Sequence, residues 1–332
     1  MDSIFPFDRC PFDILIPIFK AVVDAEVEKW TDKSSSTEIT RPQATILLAL
    51  VCRHWKNIVY ETPSLWTKLV FDFRMDRESL YRDSQRIQGR ACSAPISLYL
   101  LNVHHKGTCP NGRRWNTVHS SLSCASGLKD VTALVAQVAH IGQLHIEFAH
   151  VSTRSGGLCH PSVLKQSHPQ LGGVDHFTVD LSQSTARGQY ALLKQVGMMP
   201  RLVELRVHGL TACSVTDGSR TKLLPLLKRL YITSTDKDIS RCLISNLLSH
   251  CPILEELDMR MESENKPLVR RTLSLRHLRT VTMSWPEGVF TLFTSKGVEI
   301  PALKEIRYVG DDVVDVALVT EFSKLHPSVR IN

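Results

Sequence analysis

Residues 200–208 read Pro200-Arg201-Leu202-Val203-Glu204-Leu205-Arg206-Val207-His208, with apolar side chains falling as LxxLxV. The same phase returns as Leu227-Leu230-Ile232, Leu254-Leu257-Met259, Leu278-Val281-Met283 and Leu303-Ile306-Tyr308. First positions step by 25, 27, 24 and 25 residues, and Pro200, Pro225, Pro252 and Pro301 each stand two residues ahead of a first leucine. Val174-Phe177-Val179 and Ile141-Leu144-Ile146 are looser copies upstream. A fixed period with a fixed internal phase marks a repeat architecture. The apolar-x-apolar close of each copy has strand spacing.

These copies resemble a leucine-rich repeat. The resemblance implies an α/β fold in which each unit gives one short parallel strand and a return segment, stacked as a solenoid because no unit buries its oily side alone. Asp238 to Leu248 fits a return helix, with Ile239, Leu243 and Leu247 on one face and Asp236 or Asp238 near its start. Strand side chains alternate, so the residues between the apolar ones point to the open face. They form two columns: Glu204, Arg229, Glu256, Thr280, Glu305, and Arg206, Tyr231, Asp258, Thr282, Arg307. Glu204, Arg206, Arg229, Tyr231, Glu256, Asp258, Glu305 and Arg307 are the expected target-binding residues of such a face. A merely solvated sheet surface is the plain alternative.

Upstream, Ile46, Leu47, Leu50, Val51, His54 and Ile58 recur at intervals of three and four, which predicts one helix that stops at Thr62-Pro63. Its stripe is expected to pack on the preceding helix, with Trp66 as an anchor beyond the stop. Before it, Phe12, Leu15, Phe19, Val22 and Val23 have helical spacing. Pro17 predicts that this helix starts only around that residue, with 11–16 as an extended or turn-like lead-in. Residues 31–41 are polar and rich in serine and threonine, so they read as a loop.

Together these segments resemble a fungal-type F-box. Cys10-Pro11-Phe12-Asp13 stands at the position of the family's Leu-Pro-x-Glu, Ile18-Phe19 at its Ile-Phe pair, and Val51-Cys52-Arg53-His54-Trp55 at its Val-Cys-basic-x-Trp. Thr62-Pro63-Ser64-Leu65-Trp66 matches Thr-Pro-x-Leu-Trp. The resemblance implies that Pro11, Ile14, Leu15, Ile18, Phe19, Val51, Cys52 and Trp55 face a Skp-type adaptor or build the F-box core. It further implies the substrate-recognition subunit of a Skp–cullin–F-box ubiquitin ligase, with the repeats holding a protein target and no catalysis in this chain. The alternative is a repeat scaffold whose degenerate F-box recruits no adaptor.

The expected organisation is therefore an F-box-like helical domain over 1–70, a connector over 71–95 and a repeat domain over 96–332, clearest at 200–310. The arginine-rich 71–95 stretch reads as a solvated helix or connector. Ile96, Leu98 and Leu100 alternate as a strand, 102–130 reads as a long loop, and Leu134, Val135 and Val138 suggest a helix before a strand at Leu144-His145-Ile146.

Bulk properties narrow the classes. Of the net charge of +7, residues 1–70 carry −1 (eight Lys/Arg against nine Asp/Glu) and 71–332 carry +8 (32 against 24). No basic block interleaves with aromatics, so nucleic acid is not an expected partner. No apolar run reaches the length of a membrane span, and the N-terminus has no basic signal region, so a cytoplasmic or nuclear protein is expected. Nine scattered cysteines form no CxxC, so neither a zinc site nor a cofactor is expected. Nucleophile elbows and phosphate loops are missing from the sequence. Asp311-Asp312-Val313-Val314-Asp315 has the DDxxD spacing of Mg²⁺–diphosphate chemistry, as in terpenoid synthases. The plainer reading is acids capping a last helix whose buried side is Val313, Ala317, Leu318 and Phe322.

Overall fold

The computed structural model describes residues 10–32, 44–73, 75, 77–103, 135–148, 171–182, 189, 196–197, 199–210, 224–234, 247–261, 272–284, 286–310 and 315–332. The chain divides into two compact units, Met1–Ser152 and Thr153–Asn332. Both mix helices with parallel strands.

The first unit opens with helix α1, Phe12–Asp32. It begins at Phe12, five residues ahead of the expected start, because Pro17 lies inside it. Proline there removes only the bond to the Asp13 carbonyl. Against that loss stands a stripe of period four, Leu15, Phe19, Val23 and Val27, all buried. The helix is started by Pro11, whose carbonyl accepts from the N–H groups of Ile14 and Leu15, both at 3.1 Å.

The expected single helix across 42–61 is two. Helix α2, Ala44–Val51, ends at Cys52, and α3, Arg53–Glu61, begins after it. Cys52 is extended (φ −157°, ψ 170°), and its Sγ accepts from the Trp55 N–H at 3.4 Å, so the cysteine acts as an N-cap. The break rotates the two halves of the expected stripe apart. Ala44, Leu48 and Ala49 are buried on α2 and Ile58 and Val59 on α3, whereas Leu47, Leu50 and Val51 stay outside.

A 3-10 turn, Pro63–Trp66, buries Leu65 and Trp66, as expected of an anchor. Strand β1, Lys68–Asp72, follows at once and pairs in parallel with β2, Ile96–Val103, through Leu69↔Leu98 and Phe71↔Leu100. Helix α4, Arg77–Ala91, connects them and buries Leu80, Ser84 and Ala91. The 71–95 stretch thus holds a helix, one of the two expected alternatives, but the helix links two parallel strands and buries part of one face instead of standing wholly in solvent. Sparse apolar positions hid this, because β1 is a continuous apolar run (Leu69-Val70-Phe71) and α4 needs few contacts to dock. Strand β3, Ile141–Phe148, continues the sheet with Leu98↔Leu144 and Leu100↔Ile146.

In the second unit the strands are β4 His176–Asp180, β5 Glu204–His208, β6 Arg229–Ser234, β7 Glu256–Met261, β9 Thr280–Met283, β11 Glu305–Tyr308 and β12 Arg330–Ile331. They lie side by side in sequence order, all parallel. The register aligns Phe177, Leu205, Leu230, Leu257, Val281 and Ile306 in one row. All six are buried, so the repeat phase read from the sequence is the core. Short β8, Leu273–Ser274, and β10, Val298–Glu299, pair separately.

Each first leucine closes the same turn. The N–H groups of Leu202, Leu227, Leu254, Leu278 and Leu303 reach the carbonyls of Met199, Leu224, Cys251, Leu275 and Ile300 at 3.1–3.3 Å. Pro200, Pro225, Pro252 and Pro301 therefore occupy the second position of a four-residue turn, where a fixed φ near −65° is already correct. Helix α5, Pro286–Thr294, lies between β9 and β11, and α6, Val316–Leu325, between β11 and β12. They meet through Phe290 and Phe322, ring centroids 5.3 Å apart.

Of the DDxxD stretch, Asp311 to Val314 lie outside the described residues. Asp315 caps α6, its Oδ1 accepting from the Ala317 N–H at 2.8 Å. Phe322 is the buried side of that helix, Leu318 is half-buried, and Ala317 is exposed, contrary to expectation. The expected loops lie outside the described residues from 33 to 41 and from 104 to 130, as does the return helix up to Asn246.

Candidate interaction surfaces

In the first unit, α1 presents two adjacent stripes. Leu15 and Phe19 turn inward, where Phe19 meets the Trp55 ring at 4.6 Å. Ile14, Ile18 and Val22 turn outward, each close to half exposed, and Phe12 joins them while its ring edges on His54 at 5.2 Å. On α2, Leu47, Leu50 and Val51 are open, Leu50 at 74% and Val51 at 60%. The two helices are joined by the Ala44 N–H, which donates to Glu26 Oε2 at 2.9 Å.

The eight residues expected either to face a partner or to build the core divide between the two. Ile14, Ile18 and Val51 face outward, and Leu15 and Phe19 belong to the core. Cys52 is a cap, Trp55 is half-buried behind the surface, and Pro11 sits exposed at the start of α1. Leu47 and Leu50 were expected in the stripe packed on the preceding helix, and the structure turns them out; Phe12 and Val22, read only as helically spaced, are exposed as well. A second period-four stripe at 14, 18 and 22, beside the one at 15, 19, 23 and 27, was the signal for part of this. Seven large exposed apolar side chains on two packed helices are costly to leave in water, and exposed apolar patches are where chains meet other proteins, membranes or ligands.

In the second unit the open-face columns are as the alternation predicts. Glu204↔Arg229↔Glu256↔Thr280↔Glu305 are register partners, and so are Arg206↔Tyr231↔Asp258↔Thr282↔Arg307. Glu204 departs from its expected exposure. It is 7% exposed because Arg206 Nε at 2.6 Å and Arg229 Nε at 2.9 Å close over its two oxygens. Asp258 pairs with Arg260 at 3.1 Å and Glu305 with Arg307 at 2.8 Å. The hydrogen bond from Arg307 holds the Glu305 carboxyl below the usual carboxylate range, and the same bond raises Arg307. Tyr231 is pushed above its ordinary pKa, first by burial and next by Glu204. The recurring arrangement is a carboxylate near the sheet with an arginine standing over it. Such an array can orient a charged partner. Among the described residues no group of three or more His, Cys, Asp or Glu side chains is placed to hold a metal ion.

No helix among the described residues is long and apolar enough to cross a membrane. In comparisons with known proteins, no family model and no curated protein matches this chain.

Proposed function

We propose that the chain is a substrate receptor of a Skp–cullin–F-box ubiquitin ligase, acting in the cytoplasm or nucleus. The observation that carries this reading is the outward apolar face of α1 and α2, from Phe12, Ile14, Ile18 and Val22 to Leu47, Leu50 and Val51. A helical adaptor of the Skp type would cover it, burying anchors that water otherwise surrounds. The Val-Cys-basic-x-Trp and Thr-Pro-x-Leu-Trp motifs support an F-box around that face. The period and register of the second unit support a leucine-rich-repeat-like solenoid that presents the target. The chain would do no chemistry itself. It would raise the effective concentration of target lysines near a ubiquitin-loaded enzyme held by the cullin.

The test is co-expression of the full chain with a Skp-type adaptor. Stoichiometric co-purification is expected, and Leu50→Asp with Val51→Asp abolishes it while leaving the melting temperature unchanged, since both positions are exposed. If the wild type fails to co-purify where a known F-box protein does, the ligase reading falls and the scaffold reading replaces it.

A further inference from the structure

The charges of the second unit's open face are unequally used. Glu204 alone sits against both Arg206 and Arg229, so two guanidinium groups share one carboxylate. Both arginines stay open, with side chains 46% and 38% exposed. Arg206 Cζ also lies over the Tyr231 ring, 4.5 Å from its centroid, a cation–π contact that helps hold the guanidinium there. His176 Nε2 lies 3.3 Å from Arg229 Nη2, and the nearby Asp175 is turned to His176 Nδ1 at 2.7 Å. Around Glu204 two guanidinium groups therefore meet a single carboxylate, while the Asp175 carboxylate lies on the other nitrogen of the His176 ring.

On the next strand Glu256 is the register partner of Arg229, yet Arg229 reaches back to Glu204. Glu256 is exposed and makes no ion pair or hydrogen bond with any described residue. Its neighbour Asp258 is occupied by Arg260. Beyond it β9 offers only Thr280 and Thr282, short and uncharged. The face thus has a positive locus between β5 and β6, where two guanidinium groups share one carboxylate, and one free negative locus on β7.

Strands lie about 4.8 Å apart, so the two loci are separated by roughly one and a half spacings, about 7 Å. Residues i and i+2 of an extended chain project to one side about 7 Å apart. We propose that this face docks an extended protein segment running across the strands, with an acidic residue two positions from a basic one. The acid lies between Arg206 and Arg229 and the base on Glu256. A wholly acidic segment meets repulsion at Glu256, and a wholly basic one meets it at the arginine pair. The proposal rests on reading this face as the target surface, and is independent of adaptor docking.

The test selects a phage-displayed library of random dodecapeptides on the immobilised full chain, without adaptor. Wild-type protein enriches acid-x-base spacing, in either order, about two- to fivefold for each pair formed. Glu256→Arg replaces the basic preference by an acidic one at the same spacing, Glu256→Gln erases it, and Arg206→Ala weakens the acidic preference. Absence of any acid–base spacing preference in the wild type overturns the proposal, and so does a preference unchanged by both Glu256 variants. Neither result touches adaptor co-purification, so the two readings fail separately.

Discussion

The indole Nε1–H of Trp66 donates a 2.8 Å hydrogen bond to the carbonyl oxygen of Val59, and both residues are buried. Val59 lies in the last turn of α3, where carbonyls have no partner within the helix. The tryptophan therefore satisfies a helix end seven residues earlier, which explains why the sequence stops the helix with Thr62-Pro63 and then requires a long donor. Trp66→Phe keeps most of the apolar volume and deletes the donor. The cost expected for a buried carbonyl left unsatisfied is about 1–3 kcal/mol, measured by urea unfolding. An unchanged midpoint would show that water replaces the indole there.

Three glycines separate conformational from steric cost. Gly209 has φ +68°, and a Cβ on it would overlap the backbone of Ser182. Gly297 has φ +88°, but its added Cβ would meet nothing closer than 3.7 Å. Gly89, inside α4, has open space around it. Gly297→Ala is expected to cost about 1–2 kcal/mol from the left-handed backbone alone. Gly209→Ala costs more, and Gly89→Ala stabilises by about 0.5–1 kcal/mol. Thermal melts of the three variants check that order; equal losses at Gly209 and Gly297 would contradict the close approach to Ser182.

The repeat half was legible because one signal repeats. Leu202, Leu227, Leu254, Leu278 and Leu303 each close the same turn, and alternation alone assigns Arg206 and Arg307 to the open face. Glu204 was misjudged because alternation gives a side, not an exposure, and two arginines that fold over a carboxylate leave no periodic trace. In the helical half, spacing found the apolar residues but not their direction. An apolar side chain that faces outward and one that faces the core have the same composition, and the break at Cys52 that separates them depends on one thiol cap. Strand β1 was missed because an apolar run of three residues, buried on both sides, has no alternation to read.

Cys251 is buried in the turn before β7, where desolvation pushes its thiol up to about 12. Its Sγ also donates to the Leu247 carbonyl at 3.3 Å. Thiol reagents attack the thiolate, so near pH 8 native Cys251 is expected to resist labelling while exposed Cys92 reacts. Labelling of Cys251 should then follow the unfolding of its turn. Mass spectrometry of peptides after pulsed alkylation in a urea series measures this. Modification of Cys251 at the rate of Cys92 in native buffer would exclude the burial described.

His208 gives the second unit a pH dependence whose sign follows from its surroundings. Burial on β5 lowers its pKa from 6.5; Asp180 on β4 opposes this, and Arg206 and Arg260 add to the lowering. Its Nδ1 lies 3.2 Å from Thr233 Oγ1 on β6. Because the folded pKa is below the unfolded one, the unfolded chain binds the proton first as pH falls. Stability is complete above about 6.5, drops as pH passes from there through the folded value, and levels off once both states are charged. His208→Gln removes this contribution and keeps a polar group near Thr233. The urea midpoints of wild type and variant are therefore expected to differ by an amount that changes between pH 8 and pH 5, with the wild type losing more on acidification. Parallel pH profiles for the two proteins would show that His208 titrates alike in the folded and unfolded chain.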